Sequence, residues 1–195
     1  PQRGQRNIGA TNVFRILGKG AGIFVLTADA VKGALAVAVV ATLLEKFWQN
    51  NFPWDPSALH ASHKHLREIA GIGAILGHNY TCWLRFKGGK GIATTAGVFA
   101  ALAPAAFGIA LASWLVVFAA SRYVSLASIV AAVALPLAVW LTGNGGLLIG
   151  VSAALGALAI YKHKANIERL LAGTENRIGA KKPESSAAPS EEKKS

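Results

Sequence analysis

The sequence predicts an all-α, polytopic membrane helical bundle. Three observations carry that expectation. The 195 residues are 53% hydrophobic and only 15% charged, against about 25% charged in an ordinary soluble domain, and the mean hydropathy is positive. Several apolar runs approach or exceed the roughly 20 residues that cross a bilayer. The Lys and Arg residues collect between those runs, the pattern of loops that stay on the cytoplasmic side.

Residues 1–20 are polar and glycine-rich. The chain opens on Pro1, with no start signal or signal segment, and an upstream segment the length of a whole helix is expected. Residues 21–44, AGIFVLTADAVKGALAVAVVATLL, form the first span. Asp29 and Lys32 stand at i and i+3 inside it and are expected to neutralise one another. Residues 45–68 read as a loop bearing Trp, Pro and three histidines, and 69–84 as a short span with His78 near its end. The basic loop RFKGGKG follows. Residues 93–120 are apolar throughout, with Pro104 inside them. Residues 123–142 and 145–161 are two more spans, separated by GNGG. The tail, 180–195, is charged, carries Pro and Ser and has no apolar period, the signature of a disordered segment.

Topology turns on Pro104. A single helix over 93–120 would be about 42 Å long and would put the basic loop at 85–90 and Arg122 on opposite sides. A turn at Pro104 between two short helices puts every basic loop on one side, so it is the reading adopted. It gives about six membrane helices, two of them short. Short helices leave backbone groups unsatisfied inside the bilayer, tolerable only where protein or water meets them. A polar pocket near the cytoplasmic face is the consequence.

The formal charge is +11, and the tail, with four Lys and three Glu from Lys181 on, supplies only +1 of it. The remaining +10 lies in the membrane-associated part. The apolar bulk makes anionic lipid and small phosphorylated substrates the expected partners rather than nucleic acid. The single cysteine, Cys82, excludes an intrachain disulfide framework and is expected as a small buried packing residue. His60, His63 and His65 have no Cys or carboxylate set to complete a metal site. No carboxylate pair points to Mg²⁺-assisted phosphoryl chemistry, so no metal and no cofactor is expected.

Four segments could do chemistry. RNIGATNVFR offers Asn7, Thr11 and Asn12 as hydrogen-bonding side chains, Gly9 for backbone freedom, and the planar forks of Arg6 and Arg15 for phosphate or carboxylate. The same segment reads equally well as a basic stretch touching lipid headgroups. In KGGKG, glycines let backbone N–H groups approach an anion, and Lys90 adds a point charge. The helix that begins at Ala93 and Thr94 adds its positive end. Gly91 after Lys90 excludes a Walker A loop, and a plain tight turn is the alternative. Ser125 and Ser128 share one helix face, as helix-packing serines do. His163 and Asn166 share a face at a membrane exit, where an amphipathic surface helix is the simpler reading and a proton-moving histidine the sharper one.

Taken together these segments resemble the bacterial membrane acyl-phosphate:glycerol-3-phosphate acyltransferases, the PlsY family. NIGATNVFR with LTADAVKG, then GHNYTCWLRFKGGKGIAT, then RYVSLASI with YKHKANIERLLAGTE carry the resemblance in order, from Asn7 to Glu175. It implies seven membrane helices, of which the six here would be the second to the seventh, with a membrane acyltransferase domain over 1–179 and a disordered cytoplasmic tail over 180–195. It implies acyl transfer from acyl phosphate to the 1-hydroxyl of glycerol 3-phosphate, giving lysophosphatidic acid, in the bacterial inner membrane with the site on the cytoplasmic side.

The implied catalytic set is Lys90, His163, Asn166, Ser125 and Arg15. Gly88, Gly89 and Gly91 would present backbone donors to the acyl phosphate, with Asn7, Gly9, Thr11, Asn12 and Thr94 as further substrate contacts. One departure stands out: the family's first loop reads Gly-Ser-Gly-Asn, and here Gly4 to Asn7 read GQRN. Gln5 replaces a serine implicated in activity. That keeps an inactive acyltransferase-like binding protein open, beside a transporter of a phosphorylated metabolite. The transporter would want polar residues on the outer half, where GNGG is uncharged and 129–141 offer no polar path.

Overall fold

The computed structural model describes residues 9–51, 56–86 and 88–179. Gln5, Arg6, Asn7, Lys87 and the tail 180–195 therefore lie outside the described residues. Every regular element within them is a helix. Three helices are long and apolar enough to cross a membrane, and a fourth qualifies if α8 and α9 below count as one span. Phe24, Val116 and Trp140 are exposed on these helices, as lipid-facing side chains are. The chain is a multi-pass membrane protein.

Helix α1, Ala10–Leu17, is amphipathic and ends at Gly18, whose φ of 88° is open to glycine without strain. Helix α2, Lys19–Leu35, continues through a π-helical turn, Ala36–Val40, into α3, Ala41–Asn51. This single rod of 33 residues carries Asp29 and Lys32, which pair at 2.5 Å as expected. Helix α4 runs from Pro56 to Asn79. The expected loop over 45–68 is thus mostly helix, and of the span predicted at 69–84 only 69–79 are helical, as the second half of the 24-residue α4. No helix breaker lies between 45 and 51, and Pro56 takes the first helical position, where its missing N–H costs nothing. Polar histidines lowered the hydropathy there without interrupting the helix.

A 3₁₀ turn, Cys82–Leu84, follows α4. Cys82 is exposed in it, not buried as expected, because the turn lies outside the packed helices. Helix α5, Ile92–Leu102, has 11 residues, about 16 Å. Ala103 leaves helical geometry, and Pro104 opens α6, Pro104–Ser121. Arg122, at φ 61°, ends α6 in the left-handed conformation, and α7 spans Val124–Leu141. Helix α8, Gly146–Lys162, meets α9, Lys164–Leu171, at a bend of 58°.

The contacts at one end settle the topology. The N–H of Ile178, just past α9, donates to the carbonyl of Arg122 at the end of α6. Lys90, just before α5, bonds Asn166 of α9. The start of α5 and the end of α6 therefore share one end of the bundle, so the chain reverses at Pro104. A straight helix over 93–120 is excluded, and the basic loops gather together as the charge pattern requires.

The core joins Val37, Ile75, Val98, Phe99, Ala106, Leu135, Val139 and Leu148. Helix α5 lies hard against α2, while α6, α7 and α8 pack in sequence. The closest approach is at Gly97, where an added Cβ would overlap the carbonyl oxygen of Ala30. Gly97 thus serves helix packing. Gly97→Ala should lower the thermal midpoint in detergent, at a cost of about 1–3 kcal/mol. Gly108→Ala, where a Cβ meets open space, should not lower it.

Candidate functional site

The basic end of the bundle is organised by one carboxylate. Past α9, Gly173 turns the chain at φ 67°, and the N–H groups of Thr174 and Glu175 fold back onto the carbonyl of Arg169. This return carries Glu175 inward. Its Oε1 accepts from Asn166 Nδ2 at 2.7 Å and from Ser125 Oγ at 2.9 Å, and its Oε2 from Arg169 Nε at 2.7 Å. Asn166 passes the connection on, because its Oδ1 accepts from the Lys90 ammonium. Residues from the loop before α5, from the start of α7 and from α9 so converge on one cluster. The motifs of the sequence assign Glu175 no role. The signal available was a carboxylate placed among Lys162, Lys164, Arg169 and Arg177, but Glu168 offers the same signal, and only the turn at Gly173 separates the two.

Electrostatics follow from this packing. Burial pushes the Lys90 ammonium down to about 8; Glu175 opposes that shift, and the charges of Arg169 and Arg15 add to it. Arg15, exposed on α1 one turn after Thr11, therefore acts on Lys90 across the fold. Burial, then the charge of Lys90, pushes His163 down to about 4. A carbonyl only accepts, so the 2.7 Å contact between His163 Nδ1 and the oxygen of Ala159 fixes the proton on Nδ1. Nε2 is left as an acceptor on a neutral ring. Burial raises Glu175, but hydrogen bonds from Asn166, Arg169 and Ser125 outweigh it and hold the carboxyl below its usual range.

The glycine loop differs from expectation in one respect. Gly88 N donates to the carbonyl of Asn79, and Gly89 N to that of His78, each at 3.2 Å. Both amides are therefore committed to the end of α4 and are not free donors for a phosphate. Gly91, at φ 78°, caps α5 and lies so that a Cβ would stand 2.6 Å from Asn79 Oδ1. The loop glycines serve close packing on α4. The amides of Lys90, Gly91 and Ile92 meet no acceptor among the described residues, and they stand where α5 begins, the end favourable to anions.

Thr94 is fully buried, with its carbonyl against Gly33 of α2, a packing position. Gly9 caps α1 and its carbonyl accepts from the N–H groups of Asn12 and Val13. Ser128 is tied within its own bundle: its hydroxyl donates to the carbonyl of Val124 and accepts from Trp114 Nε1. Lys162 joins the two halves of the site, with Nζ 3.2 Å from the Asn79 carbonyl and 4.1 Å above the Tyr80 ring. Among the described residues no three His, Cys, Asp or Glu side chains gather to hold a metal ion.

Residues 1–173 match the family model described as glycerol-3-phosphate acyltransferase. The chain belongs to this family. A glycerol-3-phosphate acyltransferase of Geotalea daltonii is 44% identical over 177 residues, covering 89% of this chain and 80% of the relative. That of Geobacter sulfurreducens is 42% identical over 179 residues, covering 91% and 82%. The crystal structure of PlsY (YgiH), an integral membrane glycerol 3-phosphate acyltransferase, in its glycerol 3-phosphate form superposes with a TM-score of 0.73. It is 37% identical and covers 90% of this chain and 80% of that one. The lysophosphatidic acid form gives 0.71. In this family member the folded return after α9 is what completes the cluster.

Glu175→Ala should leave Asn166, Ser125 and Arg169 without their shared acceptor. A stability loss of at least about 2 kcal/mol is expected, read as a lower thermal midpoint, and Glu175→Gln should recover part of it.

Proposed function

We propose that this acyltransferase joins an acyl group to the 1-hydroxyl of glycerol 3-phosphate, giving lysophosphatidic acid for phospholipid synthesis, and that acyl phosphate is the donor. The observation that carries the reading is the half-buried Lys90 ammonium. It is set at the start of α5 among free amides and tied to Asn166 and Glu175, with the further cation of Arg15 within electrostatic reach. A desolvated cation beside a helix N-terminus is a site for phosphate.

The donor brings its own leaving group, so no covalent enzyme intermediate is needed. The glycerol hydroxyl attacks the acyl carbon, the carbon–oxygen bond to phosphate breaks, and an ester and hydrogen phosphate result. The hydroxyl proton ends on the departing phosphate, which keeps its double negative charge. His163, neutral and with Nε2 free to accept, orients the hydroxyl. At a pKa of about 4 it holds a proton too weakly to keep it at neutral pH. Lys90 and the amides of Gly91 and Ile92 take the donor's phosphate and stabilise charge on the leaving oxygen. Arg15, Ser125 and Asn166 hold glycerol 3-phosphate, with Gly9, Thr11 and Asn12 on its approach. Thr94, Gly88 and Gly89 shape the loop rather than touch the reactants. Most of the rate comes from holding two phosphorylated reactants in line.

The basic loops share one end, and such loops stay cytoplasmic. The site therefore opens to the cytoplasm from the inner membrane, and residues 1–179 are the functional unit.

Purified protein given palmitoyl phosphate and glycerol 3-phosphate should form lysophosphatidic acid, and palmitoyl-CoA should not replace the donor. Product from the thioester alone would reverse the donor assignment. Lys90 is charged below its pKa and neutral above it. With a pKa of about 8 in the free enzyme, kcat/KM should fall as pH rises through that value, because that ratio reports the free enzyme. Lys90→Arg should shift the fall upward, and Lys90→Ala should lower kcat/KM by at least about a hundredfold.

A further inference from the structure

Beside the loop stands a second charged group of residues to which the reaction above gives no part. His78 is nearly enclosed, at 6% side-chain exposure. Its Nδ1 lies 2.7 Å from Lys32 Nζ and 3.4 Å from Asp29 Oδ1, and Asp29 and Lys32 pair with each other across one turn of α2. An ammonium only donates. Lys32 therefore donates to Nδ1, and the imidazole carries its proton on Nε2. That nitrogen faces Gly89: a Cβ placed on Gly89 would overlap it.

The main chain repeats the arrangement. The His78 carbonyl accepts from Gly89 N, and the Asn79 carbonyl from Gly88 N. A Cβ on Gly88 would overlap the His78 carbonyl oxygen. The loop thus rests on the last two residues of α4, and the ring of His78 is itself fixed from α2. An intramembrane ion pair is costly to keep, and a lone Asp–Lys pair would need no third residue from another helix. Here Lys32, held by Asp29, donates to a ring that lies under the loop.

We propose that His78 is a positioning residue for the acyl-phosphate end of the site: Lys32, itself paired with Asp29, locks its ring, and the ring is the floor under Gly89 that fixes where Lys90 and the amides of Gly91 and Ile92 point. This rests on the acyl-transfer reading above. It separates the two substrates, because the loop amides serve the donor, while glycerol 3-phosphate is held by Arg15, Ser125 and Asn166.

The test is steady-state kinetics on the full chain in detergent, with palmitoyl phosphate and glycerol 3-phosphate varied separately. His78→Ala should raise KM for palmitoyl phosphate about tenfold and leave KM for glycerol 3-phosphate within about twofold. Lys32→Met, which keeps the ring but releases it, should act in the same direction by about threefold. If His78→Ala fails to fold, Lys32→Met decides alone. Gly89→Ala should be severe with the imidazole present and should add less than about twofold in the His78→Ala background. The proposal is overturned if both KM values rise together, if neither moves in an active enzyme, or if Gly89→Ala is equally harmful in both backgrounds. Wild-type protein that forms no product from palmitoyl phosphate would instead remove the acyl-transfer reading, and this inference with it.

Discussion

A half-buried ammonium in a membrane protein needs partners, and the arrangement around Lys90 follows from how it finds them. Its hydrogen bond goes to a neutral amide, Asn166, and the compensating charge stands one residue further off, on Glu175. That spacing matters. A direct Lys–Glu pair would neutralise the cation and leave little attraction for an incoming anion. With the amide between them, the carboxylate fixes the geometry, while the cation remains under-compensated beside Arg15 and Arg169. The same carboxylate holds Ser125 and Arg169. Helices α7 and α9 and the loop before α5 are therefore tied to one pair of oxygens.

That tie requires the chain to bring its basic segments to one end. The reversal at Pro104 does so, by splitting an apolar stretch of sequence into α5 and α6. It places the start of α5, whose first amides meet no acceptor among the described residues, inside the protein rather than in lipid, where free backbone donors would be prohibitively costly. The short helix thus leaves its first amides facing the basic cluster rather than lipid. Its close fit on α2 at Gly97 and Gly33 holds it in place, since 11 residues supply little packing surface of their own.

The loop glycines invert a common expectation. Bare glycines beside a lysine suggest a backbone wrapped around phosphate. Here the missing side chains face α4, and two of the amides are spent on it. Glycine is needed because the loop must lie flat on His78 and Asn79. Spacing alone does not distinguish a glycine that makes room for a ligand from one that makes room for a neighbouring helix.

The sequence by itself determined the helical class, the membrane setting, the break at Pro104 and the gathering of the basic loops. Each of these depends on local composition and on charge counted along the chain. It also singled out Lys90, His163, Asn166, Ser125 and Arg15, through motifs rather than through any visible proximity. Tertiary structure alone decided that Glu175 rather than Glu168 organises the cluster, that α4 begins at Pro56, that Cys82 is exposed, and that Gly88, Gly89 and Thr94 are committed to packing. These outcomes depend on which surfaces meet, and a hydrogen bond from Ser125 to Glu175, fifty positions apart, leaves no periodic trace in the order of the residues.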